Sequence, residues 1–64
     1  MDKRLVIIPT YNEKENVGNM IHAIFSLPTA FDLLIIDDGS PDGTAQIVKN
    51  LIPKFQGRLF LEER

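Results

Sequence analysis

Cysteine is absent from the 64-residue chain, which excludes disulfides and thiolate metal sites as its means of stabilisation. Excess positive charge is absent too. Seven Lys and Arg stand against nine Asp and Glu, for a formal net charge of -2 and a pI near 5.1. With no cluster of Lys or Arg, the electrostatic footprint required by nucleic acid or an anionic membrane surface is missing. No apolar run approaches the roughly 18 residues of a membrane span. The charged start Met1, Asp2, Lys3, Arg4 precedes only Leu5, Val6, Ile7 and Ile8, and Pro9 and Asn12 end that run too early for a signal peptide. Histidine occurs once, as His22, and the helical spacing sets it apart from the apolar residues around it, so a solvated surface position is expected.

What remains is an ordinary folded composition, 44% hydrophobic and 25% charged, in a chain small enough that one domain is the ceiling. The run Leu5 to Ile8 and a second run, Leu33, Leu34, Ile35 and Ile36, lack polar alternation, as suits strands covered on both faces. Leu59, Phe60 and Leu61 form a shorter third run. Between the first two, Val17, Met20, Ile21, Ile24 and Phe25 recur at helical spacing. Asn12 with Glu15 suggests a capping box at that helix's start, and Pro28 lies past its end. Between the second and third runs, Ala45, Val48, Leu51, Ile52 and Phe55 make another stripe, with Pro53 ending it and Gly57 turning into the last run. The order is strand, helix, strand, helix, strand. That order predicts an α/β fold of Rossmann-like β-α-β-α-β form with parallel strands, half of a doubly wound sheet, occupying 1–64 as one segment. The outer edges of so small a sheet would be exposed, so more chain or another copy is expected to cover them.

Open α/β sheets bind ligands beyond the carboxyl ends of their strands. After the first strand comes Pro9-Thr10-Tyr11-Asn12-Glu13. It offers a rigid ring, a flat aromatic and an acceptor carboxylate, which together suit a planar heterocyclic base, but the residues by themselves fit at least as well a structural reading in which Pro9 ends the strand, Asn12 caps the helix and Tyr11 fills a gap. After the second comes Asp37-Asp38-Gly39-Ser40-Pro41-Asp42-Gly43-Thr44. Turn chemistry accounts for its glycines and for Ser40-Pro41, which could cap the second helix. It accounts less well for two adjacent acids, which repel unless something pairs with them. Successive side chains of a strand point to opposite sides, and spacing leaves open which acid faces the crevice.

Several rival motifs fail. Residues 9–13 contain no glycine, so no dinucleotide fingerprint follows the first strand, and no Gly-Lys-Ser/Thr forms a Walker loop. Asp42-Gly43-Thr44 lacks the upstream Asp of a haloacid-dehalogenase-type nucleophile, because Ser40 stands there. A phospho-receiver would carry its acidic pair after the first strand rather than the second.

Val6-Ile7-Ile8-Pro9-Thr10-Tyr11-Asn12-Glu13 with Asn16-Val17, and Ile35-Ile36-Asp37-Asp38-Gly39-Ser40-Pro41-Asp42-Gly43-Thr44, resemble the opening of the family 2 inverting glycosyltransferases. The Ser-Pro-Asp-Gly-Thr continuation is most similar to the polyprenol-phosphate (dolichol-phosphate) mannosyltransferase group. The resemblance covers essentially the whole chain. It implies the N-terminal part of a GT-A fold binding a nucleoside-diphosphate sugar, with Pro9 and Tyr11 against the base, Glu13 and Asp38 accepting hydrogen bonds from the nucleotide, and Ile36 lining the pocket. Asp37 is then the structural neighbour.

The family's Asp-x-Asp, which holds Mg²⁺ or Mn²⁺ and the diphosphate, does not occur here, nor do the general base and acceptor site. The expectation is a nucleotide-binding portion without catalytic or metal-ligating residues of its own. Its parent would transfer mannose from GDP-mannose to a polyprenyl phosphate at the cytoplasmic face of a membrane. The alternative is a non-catalytic half-Rossmann module that homo-oligomerises through its sheet edges.

Overall fold

A computed structural model describes residues 4–28 and 31–64. Strand β1 (Arg4–Thr10) leads to helix α1 (Val17–Phe25), strand β2 (Phe31–Asp37), helix α2 (Thr44–Leu51), a short 3₁₀ turn (Ile52–Phe55) and strand β3 (Leu59–Glu63). The strands are parallel in the order β1-β2-β3, with β2 central. This is the β-α-β-α-β order that the apolar runs predict.

Both helices pack on one face of the sheet. Val17 and Ile21 of α1, Val48 and Leu51 of α2, Leu33 and Ile35 of β2 and Leu59 of β3 form a single buried cluster. Val6 and Ile8 of β1 close it from the side. The helical stripes read from spacing are therefore the faces that become buried. Below them the aromatic rings of Phe25 and Phe55 stack at 4.5 Å, and the Arg58 guanidinium lies 4.7 Å over Phe25. His22 is exposed, with its ring edge-on to Phe55 at 5.4 Å.

Three expectations are corrected. Among the described residues the strands are covered on one face only. Ile7, Leu34 and Phe60 lie side by side across the sheet on the other face, and Leu5, Ile7 and Phe60 remain 56%, 54% and 45% exposed. An unalternating apolar run shows that both faces avoid water, but it does not say that this stretch of chain supplies both covers.

Helix α1 begins at Val17 behind Asn16, with no side-chain cap, and Asn12 sits in the left-handed region at φ 54°. The capping box therefore does not form; a turn in which Asn16 and Val17 donate to the Glu13 carbonyl at 2.9 and 2.7 Å starts the helix instead.

Ser40 is not the cap of α2. That helix starts at Thr44 behind Gly43, whose φ of 95° is one that glycine adopts without steric cost. At the other end α2 gives way to the 3₁₀ turn at Ile52, one residue before Pro53, as the missing proline N–H dictates.

Candidate functional site

Pairing of β1 with β2 ends at Thr10 opposite Asp37, and beyond this point the two loops leave the sheet together. Both residues point to the helix side and are buried, at 4% and 2% exposure. A carboxylate so placed is costly unless it is well supplied with donors. Asp37 has three: the Thr10 hydroxyl at 2.9 Å, the Ser40 hydroxyl at 2.6 Å and the Ser40 amide at 3.0 Å. The left-handed Gly39 (φ 71°) is what folds Ser40 back onto the carboxylate. Burial pushes the Asp37 carboxyl up, but the donors from Ser40 and then Thr10 outweigh both that and the nearby Asp42 charge. The group titrates below its ordinary value.

Asp42 is built in the same way. It accepts from the Thr44 hydroxyl at 2.5 Å, the Thr44 amide at 3.0 Å and, from the first loop, the Lys14 amide at 3.0 Å. The Thr44 hydroxyl is the main cause holding this carboxyl below its ordinary value.

The two loops are consequently tied together amide by amide. Asn12 N–H donates to the Ser40 hydroxyl at 2.9 Å, Glu13 N–H to the Thr44 hydroxyl at 3.0 Å, and Lys14 N–H to Asp42. On the other strand the Asp38 amide donates to the Thr10 carbonyl at 3.1 Å.

The residues singled out in the sequence fall into two pairs and a bridge. Pro9 and Ile36 are register partners at the ends of β1 and β2, on the face away from the helices. Tyr11 and Asp38 are exposed immediately beyond the strand ends, Tyr11 at 57%. Glu13 is half-buried at the base of the first loop, its backbone held at both ends while its carboxylate has no hydrogen bond among the described residues. The Asp38 carboxylate and the Tyr11 hydroxyl likewise make none there.

The acids thus divide into two kinds. Asp37 and Asp42 each carry three internal donors, whereas Asp38 and Glu13 keep their full acceptor capacity at the carboxyl ends of parallel strands. The bonding of Ser40, Asp42 and Thr44 to the first loop escaped the sequence reading, which took Ser40 with Pro41 only as turn and capping residues. Their alternation at 40, 42 and 44 was the available signal.

Among the described residues no three His, Cys, Asp or Glu side chains converge as a metal site. Asp37 and Asp42, each already holding three internal donors, do not fit a divalent ion. No helix among them is long and apolar enough to cross a membrane.

The profile of glycosyl transferase family 2 matches residues 5–63, nearly the whole chain. The polyprenol monophosphomannose synthase of Mycolicibacterium smegmatis is 43% identical over 49 residues, covering 77% of this chain and 18% of that protein. The 4,4'-diaponeurosporenoate glycosyltransferase of Staphylococcus aureus, in strains USA300 and NCTC 8325, is 33% identical over 45 residues, covering 70% of this chain and 12% of the relative. The chain thus spans less than a fifth of the length of these curated relatives. No solved structure matches it.

Proposed function

The chain belongs to glycosyl transferase family 2, and from that premise we propose that it is the nucleotide-sugar-binding portion of a transferase that passes mannose from GDP-mannose to a polyprenyl phosphate. The observation that carries this reading is the division of the acids. Asp38 and Glu13 carry acceptors that make no hydrogen bond among the described residues, and with the exposed Tyr11 ring they are the kinds of group that a base and its ribose require. Pro9 and Ile36 supply the apolar floor beside them. In this reading the ring of Tyr11 stacks on the base, while Asp38 and Glu13 accept its N–H groups or the ribose hydroxyls. The mannosyl donor and lipid-phosphate acceptor draw support from the likeness to the mycobacterial synthase over 77% of the chain. A divalent ion, Mg²⁺ or Mn²⁺, would be held by residues other than these and would offset the charge of the diphosphate, and the acceptor reaction would take place at the cytoplasmic face of a membrane.

Titration of GDP, UDP and GDP-mannose into isotopically labelled chain tests the pocket. Amide shifts at Tyr11, Glu13 and Asp38 are expected, strongest for the guanine nucleotides; no shift at any of the three at millimolar nucleotide would sink the assignment.

A second reading, a non-catalytic module that self-associates through its sheet edges, is favoured by the outer sides of β1 and β3, which pair with no further strand among the described residues. Sedimentation of the chain separates the two. Association in a chain that binds no nucleotide supports the module, and a nucleotide-binding monomer removes it.

A further inference from the structure

We propose that Ser40, Asp42 and Thr44 are positioning residues for nucleotide recognition, setting the placement of Tyr11 and Glu13 relative to Asp38 through the backbone of residues 12–14. This rests on the nucleotide-binding reading above and adds the device that gives the pocket its shape. Sheet pairing cannot supply that shape, because its register stops at Thr10 and Asp37, before any of the three recognising side chains. Past that point three consecutive amides of the first loop, Asn12, Glu13 and Lys14, each find an acceptor on a different side chain of the second loop, at 2.9, 3.0 and 3.0 Å.

The acceptors are themselves aimed. A hydroxyl has one proton, and Ser40 gives its proton to Asp37 and Thr44 gives its proton to Asp42. The oxygen lone pairs of both are therefore left facing the first loop. Reversal of either hydroxyl would put its proton against an amide N–H and leave a carboxylate short of a donor. The two saturated acids thus serve the site by fixing hydroxyl direction, which fixes the amides, which fix the loop. The left-handed Asn12 is where the loop absorbs the constraint. Ligand affinity falls steeply when the groups that meet a ligand must first be ordered, so a pocket held in place before binding binds more tightly than a loose one.

The test compares Ser40→Ala and Thr44→Val with the hydroxyl-keeping Ser40→Thr and Thr44→Ser in the 64-residue chain. GDP and UDP affinities are read from amide shifts well below each variant's unfolding midpoint. Loss of either hydroxyl is expected to weaken binding roughly three- to tenfold, and the hydroxyl-keeping variants to restore most of it. Without nucleotide, amide exchange should speed up at Asn12 in Ser40→Ala and at Glu13 in Thr44→Val. Thr44 is fully buried, so Thr44→Val could unfold the chain; half-buried Ser40 keeps the test decisive on its own. A lowered unfolding midpoint with unchanged affinity in Ser40→Ala overturns the positioning role and leaves the nucleotide reading standing. A wild-type chain that binds neither nucleotide overturns both.

Discussion

At the residue level, the adjacent acids Asp37 and Asp38 differ in everything except sequence. Asp37 is 2% exposed with three donors, whereas Asp38 is exposed with its carboxylate unengaged. The donors hold the Asp37 carboxyl below its ordinary value of 3.8 even against burial. A carboxyl whose native value is depressed stabilises the fold fully above its unfolded value and ceases to do so as pH falls through the native one. The contribution of Asp37 should therefore be complete at neutral pH, begin to fade near 3.8 and disappear below it. Urea midpoints measured between about pH 6 and about pH 2 check this. Wild type should lose stability on the acid side, and Asp37→Asn should be less stable at neutral pH with a flatter acid limb. An equally steep acid limb in both would assign acid sensitivity to other groups. Replacing Asp38 by Asn should leave the stability from urea unfolding unchanged within about 0.5 kcal/mol, because its carboxylate bonds to no described residue. The same change should weaken nucleotide binding, a separation that calorimetric titration beside the melt would reveal.

At the level of elements, the apolar runs and stripes made the strands and helices legible because burial acts on each side chain separately. The loop ends were not legible. Asn12 and Glu15 have the spacing of a capping box, yet the Asn12 amide is taken by Ser40, 28 residues away, and the local rule yields to that tertiary bond. Tertiary packing likewise decided which acid turned inward, since the phase of β2 follows from the burial of Phe31, Leu33 and Ile35 on one side with Asp37. The sequence run alone leaves that phase open. Gly43 offers a clean element-scale test. A Cβ built there would meet nothing within 4 Å, so an alanine is penalised only by its φ of 95°. Gly43→Ala should cost about 1 kcal/mol, read as a shift in thermal midpoint, while leaving the crossing bonds of Asp42 and Thr44 formed. A neutral result would mean that α2 can start from a right-handed residue instead.

For the molecule as a whole, the two faces of the sheet carry unequal weight. The helix side holds the continuous core, with Leu33 and Ile35 fully buried in the central strand, whereas Ile7 and Phe60 on the other side are about half in water. A chain of 64 residues without a disulfide has a stability of only about 5 kcal/mol or less to draw on. Leu33→Ala removes a buried side chain and leaves a cavity, at a cost of about 2–5 kcal/mol, which is comparable to that whole margin. It should leave the chain unfolded at room temperature by circular dichroism and with collapsed amide dispersion. Ile7→Thr keeps the β-branched shape the strand favours and exposes little that is not already wet. It should cost under about 1 kcal/mol and keep the native spectrum. If instead the two substitutions were equally damaging, Ile7 would have to be buried in solution, which for this face means that another surface covers it. The contrast between Leu33→Ala and Ile7→Thr therefore measures whether the open face stays open, without any assumption about what would close it.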